Sequence, residues 1–213
     1  MTTPATNPAT NPAAPPRLRP TSTTRGNRFA SVIIALACIV VAGIAVNVTN
    51  NISSDVVRTV GVNQRTRLDN AFVTVTGVRA GTAIAGDAGD GYKSGGMILA
   101  VKLRVEAPGT KYTVGGLGGA ILHASGRTYS VFGPNDSIVA EAGFASTGEL
   151  LFEVDPHQIA GAYLEIYHAE FIYVTPEKVH VRLGITSRNA AQWVASAQGV
   201  TLNVKTATSE PLS

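Results

Sequence analysis

The sequence predicts a mainly β chain, an antiparallel β-sandwich preceded by one transmembrane helix and a disordered N-terminal tail. Three observations carry this reading. Residues 29–46 run eighteen positions without a charged or strongly polar side chain. Beyond them, apolar residues recur at every second position in one segment after another. Glycine-rich turns separate those segments, and a helical pattern appears only once among them.

The tail comes first. Residues 1–28 hold six prolines and many threonines but almost nothing that builds a core. Such a segment cannot offset its ordering entropy, so disorder is expected. PATNPATNP is a short low-complexity repeat, and PAAPP has polyproline character. Arg17, Arg19, Arg25 and Arg28 give residues 1–48 four positive charges and no negative one. Residues 49–213 carry thirteen basic and fourteen acidic side chains, a net of −1. The overall charge of +3 thus belongs to the tail and gives no basic surface for nucleic acid.

FASVIIALACIVVAGIAV, residues 29–46 with Val48 extending it, is read as a membrane helix spanning 29–48. A helix of this length rises roughly 27–30 Å, the thickness of the hydrocarbon core. Arginines before the helix place the N-terminus in the cytoplasm and the remainder outside, with the lipid bilayer as first partner. Three alternatives are weaker, and the first, a buried core helix, fails because the flanking disorder leaves it no domain to be buried in. Gly43-Ile44-Ala45 has the small-x-small form of a signal cleavage site, but the polar lead is long. Ala35-Leu36-Ala37-Cys38 matches a lipobox poorly. Cys38 is the only cysteine, so the outer region has no intramolecular disulfide. Ser31, Ala35, Cys38, Ala42 and Ala45 form a small-residue stripe along one helix face, which suits packing against another membrane helix.

Residues 49–57 read as a polar stalk, with sequons at Asn47 and Asn51, and 58–206 as the sandwich. Strands are expected over 56–62, 70–80 and 97–107; in the last, Leu99, Val101, Leu103 and Val105 face inward. Further strands follow at 119–132, a hairpin turning at Ala124-Ser125-Gly126, then at 148–154 and 162–174. The strand at 178–185 turns Val179, Val181, Leu183 and Ile185 inward. The last, 199–206, places Val200, Leu202 and Val204 on one face. Residues 187–198 are the helical piece, capped by Ser187 or Asn189 and anchored by Trp193. Residues 207–213 are left as a flexible end. An eight-stranded barrel is the architectural alternative.

The order of pieces adds a family likeness. Leu68-Asp69-Asn70 leads into AFVTVTGV, followed by a glycine-rich loop and MILAVKLRVE. Gly126-Arg127-Thr128-Tyr129, LLFEVDPHQIAGAYLEI and VHVRLGI come later. Over residues 60–206 this resembles the immunoglobulin-like domains of unknown function on membrane-anchored or lipidated exported proteins of Gram-positive bacteria, especially actinobacteria. The resemblance implies an extracytoplasmic immunoglobulin-like sandwich that contacts proteins or the envelope, and it supplies no catalytic residues. The absence of a proper lipobox at Cys38 departs from the lipidated members.

Chemical motifs give little. Neither G-x-S-x-G nor H-E-x-x-H occurs, and His123 and His180 fall on the polar faces of alternating strands. Asp87 and Asp90 share a glycine-rich loop without calcium-loop spacing. Asp155, His157, His168 and Glu170 have zinc-ligand chemistry but no cysteine beside them. No metal and no cofactor is therefore assigned. Tyr92 with Lys93, and Lys111 with Tyr112, lie in two glycine-rich loops and are the candidate recognition residues. The expected function is a non-catalytic membrane-anchored interaction module, an accessory subunit bound to another membrane or envelope protein. The alternative is a lipid, glycan or peptide binder or sensor.

Overall fold

The alternation seen in the sequence becomes strand pairing in a computed structural model that describes residues 56–85, 91–116, 119–167 and 177–213. The tail, the membrane segment with its stripe, and the Asp87–Asp90 loop lie outside the described residues, as do His168 and Glu170. Among the described residues, no helix is long and apolar enough to cross a membrane.

The strands are β1 (Val56–Gly61), β2 (Thr66–Leu68), β3 (Ala71–Ile84), β4 (Tyr92–Ala107), β5 (Tyr112–Gly115), β6 (Ala120–Ala124) and β7 (Arg127–Phe132). After them come β8 (Ser137–Ala140), β9 (Phe144–Val154), β10 (Tyr163–Tyr167), β11 (Glu177–Arg182), helix α1 (Ala190–Ala197), β12 (Thr201–Leu202) and β13 (Thr208–Pro211). β1 begins inside the expected stalk, and β13 occupies the expected flexible end, where it pairs with β9.

One mostly antiparallel sheet follows the order β1-β11-β10-β6-β7-β9-β4-β3-β12 and curls until it nearly closes into a barrel. Among the described residues, only the β1–β11 and β12–β3 pairings are parallel. The expected two-sheet sandwich is therefore joined along one side, where Val131 and Phe132 of β7 pair with β9. On the other side no ladder forms among the described residues, and side chains bridge instead. Arg58 Nη1 donates to the Arg67 carbonyl at 3.0 Å, and the Asp69 N–H donates to Glu177 Oε2 at 3.1 Å. β5 and β8 pair separately across the core.

The interior follows the period-two rule. Leu99, Val101, Leu103 and Val105 of β4 are fully buried, as are Leu122, Leu150, Phe152 and Leu164. Val179, Val181, Leu183 and Ile185 join them as expected. The β6–β7 hairpin turns through Ser125 and Gly126, with φ of 47° and 78°. Two left-handed residues make the tight turn that matches strand twist. Asn189 sits at the start of α1, yet its side chain turns back. It accepts from the Thr186 N–H at 2.6 Å and donates to the Gly184 carbonyl at 2.9 Å. It braces the preceding turn rather than capping the helix.

The outer face of β4 departs from simple alternation. Ile98 and Ala100, which alternate with the inward residues, are also fully buried. A second small core of Ile84, Ile98, Ala100, Leu151 and Leu202 covers them, with Phe132 and Val204 against it. The chain after α1 makes this possible. It pairs β12 with β3, crosses the sheet, and joins β9 as β13. Residues 203–207 thus act as a strap over the outer face.

Candidate functional site

Beside the second core, the strap leaves a groove of about 420 Å³ on the outer face of β3, β4 and β9. Its floor is the row Gly77, Lys102 and Glu149, paired across the three strands. Asn203, Lys205, Thr206 and Thr208 form the wall, and Thr147 and Arg79 complete the lining. The register shifts between Val75 and Gly77, so β3 bulges here. A Cβ built on Gly77 meets nothing within 4 Å, which leaves that part of the floor open. At Gly148 the same test finds Ile138 Cγ1 at 3.0 Å and Ala207 Cβ at 3.1 Å. The absent side chain at Gly148 lets the strap and β8 approach the sheet.

Arg79 organises the groove. Its Nη2 donates to both carboxylate oxygens of Glu149, at 2.8 and 2.6 Å, and to the Asn203 carbonyl at 3.1 Å. The guanidinium thus ties β3 to β9 and to the strap, and neutralises the groove's one carboxylate. Asn135 secures the far side by donating to the Lys205 carbonyl at 3.0 Å. Lys102 and Lys205 have no carboxylate partner among the described residues. The groove therefore offers ammonium and hydroxyl groups to a polar occupant.

The structure separates the recognition residues expected from sequence. Tyr92 and Lys93 open β4, while Lys111 and Tyr112 come after its end, so the two pairs stand at opposite ends of a 16-residue strand. Tyr112 is no surface contact; it is 1% exposed and part of the core. Lys111 pairs with Glu141 at 2.9 Å. Tyr92 keeps 45% of its surface exposed, packs against Phe132 and donates its hydroxyl to Glu153 Oε2 at 2.8 Å. That bond raises the Tyr92 pKa above its ordinary value. Hydrogen bonds from Ser94 first, and then Tyr92, hold the Glu153 carboxyl below its own. Trp193 anchors α1 against the core and borders a broad depression with Val62 and Leu183.

Two of the histidines meet. β10 runs between β6 and β11, which brings His123 opposite Tyr163 and His180 opposite Glu165 on the outer face. His123 stacks on Tyr163 with centroids 4.8 Å apart and 4° between planes, and His180 tilts against the same ring at 4.7 Å. The Nε2 atoms of His180 and His123 lie 2.8 and 3.9 Å from one oxygen of Glu165. Sequence spacing placed each histidine on a polar face but gave no sign that one carboxylate faces both. No group of three or more His, Cys, Asp or Glu among the described residues is arranged to hold a metal ion. Asp155 instead caps the turn that holds His157, accepting from its N–H at 2.9 Å, and pairs with Arg127.

Comparison with known proteins adds little. No family model matches the chain, and no curated protein matches it. Among solved structures it is similar to a Bacillus subtilis protein provisionally assigned as a lipoprotein, with 18% identity and a TM-score of 0.40. That match covers 62% of this chain and 41% of the other, so this chain spans well under half of that protein's length. It is also similar to an uncharacterised β-sandwich protein of Clostridium difficile, with 6% identity and a TM-score of 0.39. There the match covers 61% of this chain and 96% of the other.

Proposed function

We propose that this chain is a non-catalytic binding module, tethered by residues 29–48 and working on the outer side of the membrane, whose groove holds part of another envelope component. The groove carries the reading, because an arginine–glutamate clamp, a strap and an unfilled glycine position build its floor and wall from separate parts of the chain. The immunoglobulin-like relation and the actinobacterial setting belong to this same proposal.

A protein-interaction role as an accessory subunit is the second reading, favoured by β1. This strand pairs on one side only among the described ladders, and Val56 and Val57 are 49% and 44% exposed. Such an edge suits strand addition by a partner.

Purification of the full chain in mild detergent, followed by mass spectrometry, tests the first reading through the Gly77→Phe variant, which fills the groove. A component retained by the wild type and lost from this variant is expected. The same bound components in both would refute the groove as the binding site. Loss only after Val57→Asp would select the edge strand instead.

A further inference from the structure

We infer that the groove beside the strap takes a phosphate-bearing ligand. The inference rests on the groove being the binding site and adds the chemistry of its occupant. Charge distribution is the starting point. Residues 49–213 carry one net negative charge, yet the groove holds three cations and one carboxylate. The carboxylate is fully engaged, since Arg79 meets both oxygens of Glu149. Lys102 lies directly across from Glu149 on the neighbouring strand, but with that carboxylate turned to Arg79 it makes no ion pair with it. Lys205, on the strap, is likewise without a carboxylate among the described residues. On the same face, Arg65 and Arg104 are matched by Glu106 and Glu210. Two positive charges of this face that have no carboxylate among the described residues therefore line one cavity, where their repulsion is relieved by an anion.

The type of cation selects the anion. Planar recognition of a carboxylate calls for a guanidinium fork, and the groove's only fork is committed to Glu149. What remains are two ammonium groups, which act as point charges, and the hydroxyls of Thr147, Thr206 and Thr208. Ammonium point charges and hydroxyl donors arranged around an open floor suit the three-dimensional oxygen array of phosphate. The half-open shape fits a phosphate ester whose remainder leaves the groove.

Isothermal titration of the full chain in neutral detergent tests this with tripolyphosphate, citrate and uncharged maltotriose as probes. Tripolyphosphate is expected to bind one per chain, more tightly than citrate, and maltotriose not at all. Lys102→Gln and Lys205→Gln each weaken it by about tenfold or more, as loss of a charge-assisted hydrogen bond does. Gly77→Phe abolishes it while leaving the melting temperature near the wild-type value. Binding also weakens as salt rises from about 50 to 300 mM. Soluble dihexanoyl phosphatidylglycerol against glycerol 3-phosphate separates a lipid headgroup from a free phosphate ester. Citrate binding as tightly as tripolyphosphate overturns the choice of phosphate. Maltotriose binding that Gly77→Phe blocks overturns the inference and leaves the groove as a binding site. Tripolyphosphate binding indifferent to all three substitutions, or no binding of any probe, also overturns it, and the co-purification comparison then judges the groove alone.

Discussion

Two glycines on one strand should respond oppositely to the same substitution. Gly77 and Gly81 both lie in β3 beside register shifts, and neither has a left-handed backbone. A Cβ at Gly81 would stand 2.7 Å from Leu202 Cγ and 2.8 Å from the Val200 carbonyl oxygen. The oxygen belongs to a backbone that accepts from the Thr82 N–H at 2.9 Å, so it has no cheap way to retreat. Overpacking of this kind costs about 1–3 kcal/mol, against about 0.4–1 kcal/mol recovered from the less flexible unfolded chain. The net for Gly81→Ala is a loss of about 1–2 kcal/mol if β12 shifts locally. If β12 detaches, buried Leu202 is exposed and two or more backbone bonds open. The loss then approaches about 5 kcal/mol.

Gly77→Ala meets nothing and should be neutral or stabilising by up to about 1 kcal/mol. At about 2–4 °C per kcal/mol for a domain of this size, Gly81→Ala melts about 2–8 °C lower with local adjustment and up to about 20 °C lower with detachment. Gly77→Ala melts within a few degrees of wild type. Circular dichroism of the strand signal during heating reads both. Equal melting of the two variants would refute the argument that β12 lies tightly on Gly81 while Gly77 is left open.

Other outcomes follow from the same packing and charges. Leu122→Ala removes a fully buried side chain from the middle of the core and should cost about 2–5 kcal/mol, read by denaturant unfolding; a change under about 1 kcal/mol would mean that the site lies outside the core. The Arg65 hydrogen bond first, with Arg104 adding to it, holds the Glu106 carboxyl below its ordinary value of 4.5. Its stabilisation is therefore fully present above that value and fades as pH falls through the lower folded one. Melting curves of wild type and Glu106→Gln should differ at neutral pH and converge in acid; a constant gap would contradict the pairing. Ser146→Ala deletes a buried hydroxyl that donates to the Val139 carbonyl and meets Ser209 Oγ, both at 2.6 Å. The expected loss is about 1–2 kcal/mol, with faster hydrogen exchange in β8 and β13; unchanged exchange would separate Ser146 from the docking of those strands.

Local pattern determined the strands whose two faces differ. In β4 and β11, apolar residues at every second position had a buried face and a polar face available, and the inward sets followed directly. The β6–β7 turn was equally legible, because Ser125-Gly126 sits between two alternating runs and its backbone geometry is a local matter. The charge division along the chain and the run at 29–46 are also properties of composition. They set the expectation of an anchored outer region without any knowledge of contacts.

Pairing between distant segments was decided only in three dimensions. The burial of Ile98 and Ala100 depends on residues about a hundred positions later, so alternation alone does not show that their face is covered. Tyr112 lay in a glycine-rich stretch that suggested a surface loop, but the β5–β8 pairing drew it into the core. His123, Glu165 and His180 converge because β10 lies between β6 and β11, an adjacency no spacing encodes. The groove has the same origin, since Gly77, Lys102, Glu149 and Lys205 come from three strands and a strap. Side-chain periodicity is set by the backbone of each strand, whereas a site is set by which strands become neighbours. The sequence therefore determined a β domain and set the expectation of a membrane segment before it, and the tertiary structure decided where on that domain a ligand has room.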